Sequence, residues 1–202
     1  MFALKTKKDI PDEELAMGCS RGKEEYCKML FEKYYGRMLN VCRRYAKDQD
    51  EAKDMLQEGF IRVFKNISQY QHRGSLEGWI RRTVVTTAIN YYKKYSMNGS
   101  VSYMEEDILT VASENGSSLF AANNVAETMD AKQLLAMTHT LSPVYRTVFN
   151  LSAIEGYSHQ EIGEMLDITE STSRSNLAKA RQKLQQMLKQ AVQTKKIHYE
   201  TQ

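Results

Sequence analysis

Proline is scarce in this chain. Pro11 and Pro143 are the only two among 202 residues, and neither breaks a periodic segment, so long helices are permitted. No apolar run approaches the roughly 18 residues that a membrane-crossing helix requires. Cys19, Cys27 and Cys42 are odd in number, lack a CxxC pair and follow no signal peptide, which speaks against a disulfide framework. His72, His139, His159 and His198 are scattered and have no evident partners, so neither a zinc site nor a nucleophile–base pair is expected. A glycine-rich phosphate loop is also missing. Period-two alternation is short everywhere, the best strand candidate being residues 101–103. These absences predict a soluble, cytoplasmic, non-enzymatic protein with no metal, no cofactor and no small-molecule substrate.

Charge is unevenly placed. The net charge is only +3. Residues 97–130 contain no Lys or Arg but carry Glu105, Glu106, Asp107, Glu114, Glu127 and Asp130. Residues 174–199 contain no acid but carry Arg174, Lys179, Arg181, Lys183, Lys189, Lys195 and Lys196. Basic blocks flanking an acidic one favour a polyanionic partner at the ends of the chain rather than its middle.

Helical periodicity is strong. Phe31, Tyr34, Met38, Cys42 and Tyr45 share one face of a first segment. Ala52, Leu56, Phe60, Val63 and Ile67 share a face of the next, and Ile80, Val84, Ala88, Tyr91 and Tyr95 of a third. Residues 97–125 are rich in Ser, Asn and Gly and read as a tether, with a transient turn near Ile108. Helical signals resume near Ala126. The fold class expected is all-α: two small helical domains, 1–96 and 126–202, joined by a flexible acidic linker at 97–125.

The second domain contains a helix-turn-helix pattern. Ser142-Pro143 is a helix start, and Gly156 ends that helix. Ser158 with Glu161 three residues on forms a capping box that opens a short helix, with Ile162, Met165 and Leu166 inward. Gly163 is expected where a second helix crosses closely. Asp167 supplies the left-handed residue of the turn. Leu177, Ala180, Leu184 and Leu188 form the seam of the second helix. Its outward Arg174, Ser175 and Asn176 can reach base edges in a major groove, while Lys179, Arg181 and Lys183 suit phosphates. The other reading of the same run is a basic solvated surface helix.

In the first domain, Asp54, Gln57, Glu58 and Lys65 lie opposite the apolar stripe of their segment, as any solvated face would. Residues 76–94 are less ordinary. Trp79, Arg82, Thr86, Asn90 and Lys93 recur at steps of three and four opposite the buried stripe, a pattern suited to unpaired bases and a phosphate backbone. Trp79 is equally readable as a core anchor. The preceding loop, Tyr70-Gln71-His72-Arg73-Gly74-Ser75, could present a pocket to a flipped base.

Both blocks, in this order, resemble extracytoplasmic-function sigma factors, the promoter-recognition subunits of bacterial RNA polymerase. The first match runs through Glu51-Ala52-Lys53-Asp54-Met55-Leu56-Gln57-Glu58-Gly59-Phe60 and Trp79-Ile80-Arg81-Arg82. The second runs through Leu141-Ser142-Pro143, Gly156-Tyr157-Ser158, Glu161-Ile162-Gly163-Glu164-Met165-Leu166 and Ala180-Arg181-Gln182-Lys183-Leu184. The resemblance implies two partners, core RNA polymerase and promoter DNA, and allows an anti-sigma factor as a third. It implies that Asp54, Gln57 and Glu58 dock on the clamp helices of the largest polymerase chain. It assigns Tyr70, Arg73, Ser75, Trp79, Arg82, Thr86, Asn90 and Lys93 to opening and reading the downstream promoter element. Ser171, Thr172, Arg174, Ser175, Lys179 and Arg181 fall to the upstream element in the duplex.

The chain departs from the family pattern in places. Thr86 stands where Asn is common and Asn90 where Asp is common, which bears on downstream sequence preference. Asp167 and Ser171 replace glycines near the turn, and Ser173 replaces a buried β-branched apolar residue, at an expected cost in recognition-helix packing. Two other functions fit parts of the sequence: a stand-alone helix-turn-helix regulator binding symmetric half-sites, and an adaptor that binds only proteins.

Overall fold

The computed structural model describes residues 10–95 and 131–200. The tether expected at 97–125, the short strand at 101–103 and the helical restart near Ala126 lie outside them. All regular elements among the described residues are helical. The chain divides into two compact units at Lys94.

The first unit holds α1 (Asp12–Ser20), α2 (Glu24–Tyr45), α3 (Gln49–Asn66), a 3-10 turn (Ile67–Gln69) and α4 (Leu76–Tyr95). The expected stripes make its core. Tyr34, Met38 and Cys42 of α2, Ala52, Leu56, Phe60 and Val63 of α3, and Ile80, Val84 and Ala88 of α4 are all buried. Asp48 separates α2 from α3: its carboxylate accepts from the Asp50 and Glu51 amides at 3.1 and 2.8 Å, an N-cap that starts the new helix. Gly59 lets α4 lie close to α3, since a Cβ there would sit 3.1 Å from Val84 Cγ2.

Helix α1 escaped the periodicity reading because nine residues give only two turns, with Leu15, Ala16 and Cys19 as the buried apolar positions. It is tied to α2 by Asp12, whose carboxylate accepts from Lys33 Nζ at 2.8 Å and from the Tyr34 hydroxyl at 2.7 Å. Burial opposes the charge on Asp12, but those hydrogen bonds and the nearby Lys33 and Arg37 charges outweigh it and hold the carboxyl below its ordinary range. The crossing of α1 on α2 depends on Gly18, where a Cβ would fall 2.1 Å from Tyr26 Cγ.

The second unit holds α5 (Ala131–His139), α6 (Pro143–Phe149), a π-helical turn (Asn150–Ile154), α7 (His159–Leu166) and α8 (Glu170–Glu200). Ser142 occupies the N-cap of α6 with Pro143 next, as expected, though its hydroxyl makes no capping bond. The helix then widens into the π turn before Gly156, at φ +81°, reverses the chain. Leu141, Val148, Leu151, Ile162, Leu166, Leu177, Ala180 and Leu184 form the core. Arg146 is buried within this unit, its guanidinium 3.0 Å from His139 Nδ1.

Candidate nucleic-acid interface

The stripe on α4 is exposed where it matters. Arg82, Thr86 and Asn90 are exposed, and Trp79 and Lys93 are half-buried, while Ile80, Val84 and Ala88 on the reverse side are fully buried. Trp79 is therefore neither a core anchor nor a free paddle: its ring packs 5.8 Å from that of Tyr70 and remains partly open. The Thr86 hydroxyl donates to the Arg82 carbonyl at 2.9 Å, so its hydrogen is spent within the helix and an oxygen lone pair and a methyl group face outward.

The loop before α4 differs from its expected role at one position. Tyr70 is buried, and its hydroxyl donates to the Gly74 carbonyl at 2.8 Å. It acts as a strut that closes the loop, with the His72 ring 4.7 Å from its own, because a large ring inside a six-residue turn is more stable packed than hydrated. His72 at φ +58° and Gly74 at φ +87° bend the loop. Arg73 and Ser75 are exposed, and the Ser75 hydroxyl accepts from the Gly78 amide at 3.1 Å, starting α4.

On α3, Asp54 and Gln57 are exposed, whereas Glu58 is half-buried and paired with Arg62 one turn on. Beside Gln57 lies an apolar groove of about 430 Å³, lined by Phe31, Tyr35, Leu56, Phe60, Ile61 and Phe64 with Lys53 and Gln57. Ile61 is 58% exposed there. The periodicity reading missed this groove, although Ile61 and Phe64, apolar residues off the buried stripe of α3, were signals of it.

The helix-turn-helix forms as expected. Ser158 and Glu161 make the reciprocal capping box, and Asp167 takes φ 60°, ψ 47°. Gly163 is needed for a slightly different reason than supposed: a Cβ there would meet the turn's own backbone, Ile168 O at 2.8 Å, before any side chain of the second helix. Thr169 caps α8 by accepting from the Thr172 amide at 3.0 Å, and the two threonine hydroxyls lie 2.7 Å apart. Ser171, Thr172, Arg174 and Ser175 are exposed at the start of α8; Lys179 and Arg181 are half-buried further along. Arg174 pairs with Glu170 one turn back, on the surface.

The histidines are better connected than the sequence implied. His159 Nδ1 lies 2.9 Å from the Ser173 hydroxyl, His139 meets Arg146, and His72 packs on Tyr70. Spacing along the chain could not reveal contacts made across a turn. Ser173, expected to weaken the packing of α8, is fully buried yet hydrogen-bonded. Burial, reinforced by the Arg174 and Arg181 charges and opposed by Glu170, holds the His159 pKa below its ordinary 6.5.

Two helical units, one with an aromatic and cationic ladder and one with a helix-turn-helix, define the class of a two-part DNA-recognition protein. Residues 30–97 match the family Sigma-70 region 2, and residues 131–184 match Sigma-70, region 4. The chain is 25% identical over 183 residues to the ECF RNA polymerase sigma-E factor of Haemophilus influenzae, covering 87% of this chain and 94% of the relative. It is 28% identical over 160 residues to the ECF RNA polymerase sigma factor SigE of Mycolicibacterium smegmatis, covering 79% of this chain and 60% of that one. Among solved structures it resembles the sigma factor RpoE bound to the anti-sigma factor NepR from Bartonella quintana, at 16% identity and a TM-score of 0.47, over 79% of this chain and 96% of that one. With the two family matches spanning more than half of its length, the chain belongs to the sigma-70 family, and the relatives it matches are extracytoplasmic-function sigma factors. It is a transcription initiation factor that directs core RNA polymerase to promoter DNA.

Proposed function

We propose a division of labour among the residues of this sigma factor. Asp54, Gln57 and Glu58 dock α3 on the clamp helices of the largest polymerase chain, and the apolar groove beside Gln57 adds buried area to that contact. Trp79, Arg82, Thr86, Asn90 and Lys93, with Arg73 and Ser75 at the loop, engage the separated strands of the downstream element. Ser171, Thr172, Arg174, Ser175, Lys179 and Arg181 read the upstream duplex. On this reading the domains are 1–96 and 126–202 with 97–125 between them, and each binds weakly until the core enzyme holds both on one promoter. The protein itself catalyses nothing, works in the cytoplasm, and is open to inhibition by an anti-sigma factor that covers the same faces.

The observation that carries this reading is the α4 ladder. Its indole and guanidinium lie at the surface while the opposite side of the same helix is fully buried. A stacking platform beside a cation suits single-stranded bases, at about 1–3 kcal/mol per stacked base. The test uses holoenzyme assembled from core polymerase and full-length protein. W79A and R82A are expected to slow promoter opening, read by permanganate reactivity of unpaired thymines, without weakening core binding. D54K is expected to weaken core binding itself. Normal opening by W79A and R82A, or normal core binding by D54K, would overturn the corresponding assignment.

A further inference from the structure

The contact between His159 and Ser173 has no place in the scheme above, yet it joins the two helices of the helix-turn-helix. His159 is the first residue of α7, directly after the Ser158 cap. Ser173 lies one turn into α8, next to Arg174, and is 0% exposed. Among the described residues it is the one buried polar side chain in these two helices. Ile162 and Leu166 of α7 and Leu177 of α8 are buried apolar side chains, whose packing is non-directional and resists separation better than rotation. A hydrogen bond of 2.9 Å to a buried hydroxyl is directional.

We propose that His159 is a positioning residue for upstream-element recognition, fixing through Ser173 the rotation of α8 that aims Arg174 and Ser175 at the duplex. The apolar residue usual at position 173 would fill the same space without setting an angle. The inference rests on α8 being the upstream reader.

The bond takes its simplest form with a neutral imidazole. The Ser173 hydroxyl donates to Nδ1, and the ring hydrogen sits on Nε2. Protonation puts a hydrogen on Nδ1, which reverses the bond: Nδ1–H donates to the Ser173 oxygen, and the hydroxyl hydrogen must find another acceptor within the core. The new charge also faces Arg174 and Arg181 of α8, with Glu170 the acid acting on it. The π turn against which α7 also packs, Asn150–Ile154, carries no ionisable side chain. Because the folded domain holds His159 below 6.5, the unfolded chain takes up the proton first as pH falls. The stability that comes from keeping His159 neutral is complete above pH 6.5 and diminishes as pH drops below it.

The experiment measures holoenzyme transcription from a promoter with an intact upstream element against one with that element scrambled, between pH 5.5 and 7.5. H159A and S173A are expected to reduce the ratio about fivefold at neutral pH, the effect of one net hydrogen bond. H159N offers an acceptor amide oxygen in place of Nδ1 but cannot titrate. It should keep the neutral-pH ratio and flatten the decline that wild type shows on acidification. If H159A unfolds the domain by circular dichroism, H159N alone decides. A wild-type pH profile in H159N, or an unchanged ratio in a folded H159A, overturns the proposal. R174A separates the two levels: if it leaves the ratio unchanged, the assignment of α8 fails, and if it lowers the ratio while H159A does not, only the positioning role fails.

Discussion

Replacing Gly163 by Ala isolates the tightest point of the helix-turn-helix. The added Cβ would lie 2.8 Å from Ile168 O, inside the 3.0 Å that Cβ atoms keep from other heavy atoms. The atom in the way is backbone, and the Ile168 amide is itself bound to the Gly163 carbonyl at 3.0 Å, so neither side can move without loosening the turn. Overpacking of this kind costs about 1–3 kcal/mol, offset by the roughly 1 kcal/mol that Ala gains over Gly within a helix. Gly36 provides the reference, because it sits inside α2 with nothing within 4 Å of its Cβ position. G36A should therefore show the helical gain alone, and the difference between the two variants, each relative to wild type, should be about 1–3 kcal/mol. Hydrogen exchange of α7 and α8 amides for G163A, and of α2 amides for G36A, reads each unit separately in the full chain. Protection should fall on α7 and α8 and rise on α2. Equal stabilisation by both substitutions would refute the crowding argument.

Other outcomes follow from groups with clear environments. Asp12 has a depressed pKa in the folded state, so its contribution is present above 3.8 and is lost as pH falls further. D12N should flatten the acid limb of the unfolding profile of the first unit, and an unchanged limb would remove Asp12 from the account. Burial, with Cys27 beside it, pushes the Cys19 thiol up to about 12, and burial likewise pushes Cys42 up to about 12. A thiol-alkylating reagent at neutral pH should label half-exposed Cys27 well before the other two, as read by peptide mass. Faster labelling of Cys42 would show that the first unit opens readily.

Much of the fold was legible because its long helices are strictly amphipathic. The stripes of α2, α3 and α4 are buried along most of their length, with Phe31 and Tyr91 half-buried, and the Ser158–Glu161 box and left-handed Asp167 were readable from local chemistry. Helix α1 was not, since Asp12–Ser20 is too short for a periodic signal and is held by ties to Lys33 and Tyr34 that only the tertiary structure brings together. Surface ladders such as that of Trp79 and Arg82 follow from the same periodicity as the core. Contacts across a turn do not: Tyr70 reaches back to Gly74, and His159 meets Ser173 from fourteen residues away. Helix α8 also runs on to Glu200, twelve residues past Leu188, the last seam position that the sequence announced.

On the proposed reading of α8, the exposed ion pair of Arg174 with Glu170 sets a carboxylate in competition with the DNA phosphates. Any incoming anion must first displace a carboxylate one helical turn away, so a stray phosphate offering a single contact exchanges one partner for another at little net gain. A site that meets several neighbouring side chains at once does better. If α8 reads the upstream duplex as proposed, the acid at the head of this basic helix penalises casual encounters with bulk DNA and favours the properly matched sequence.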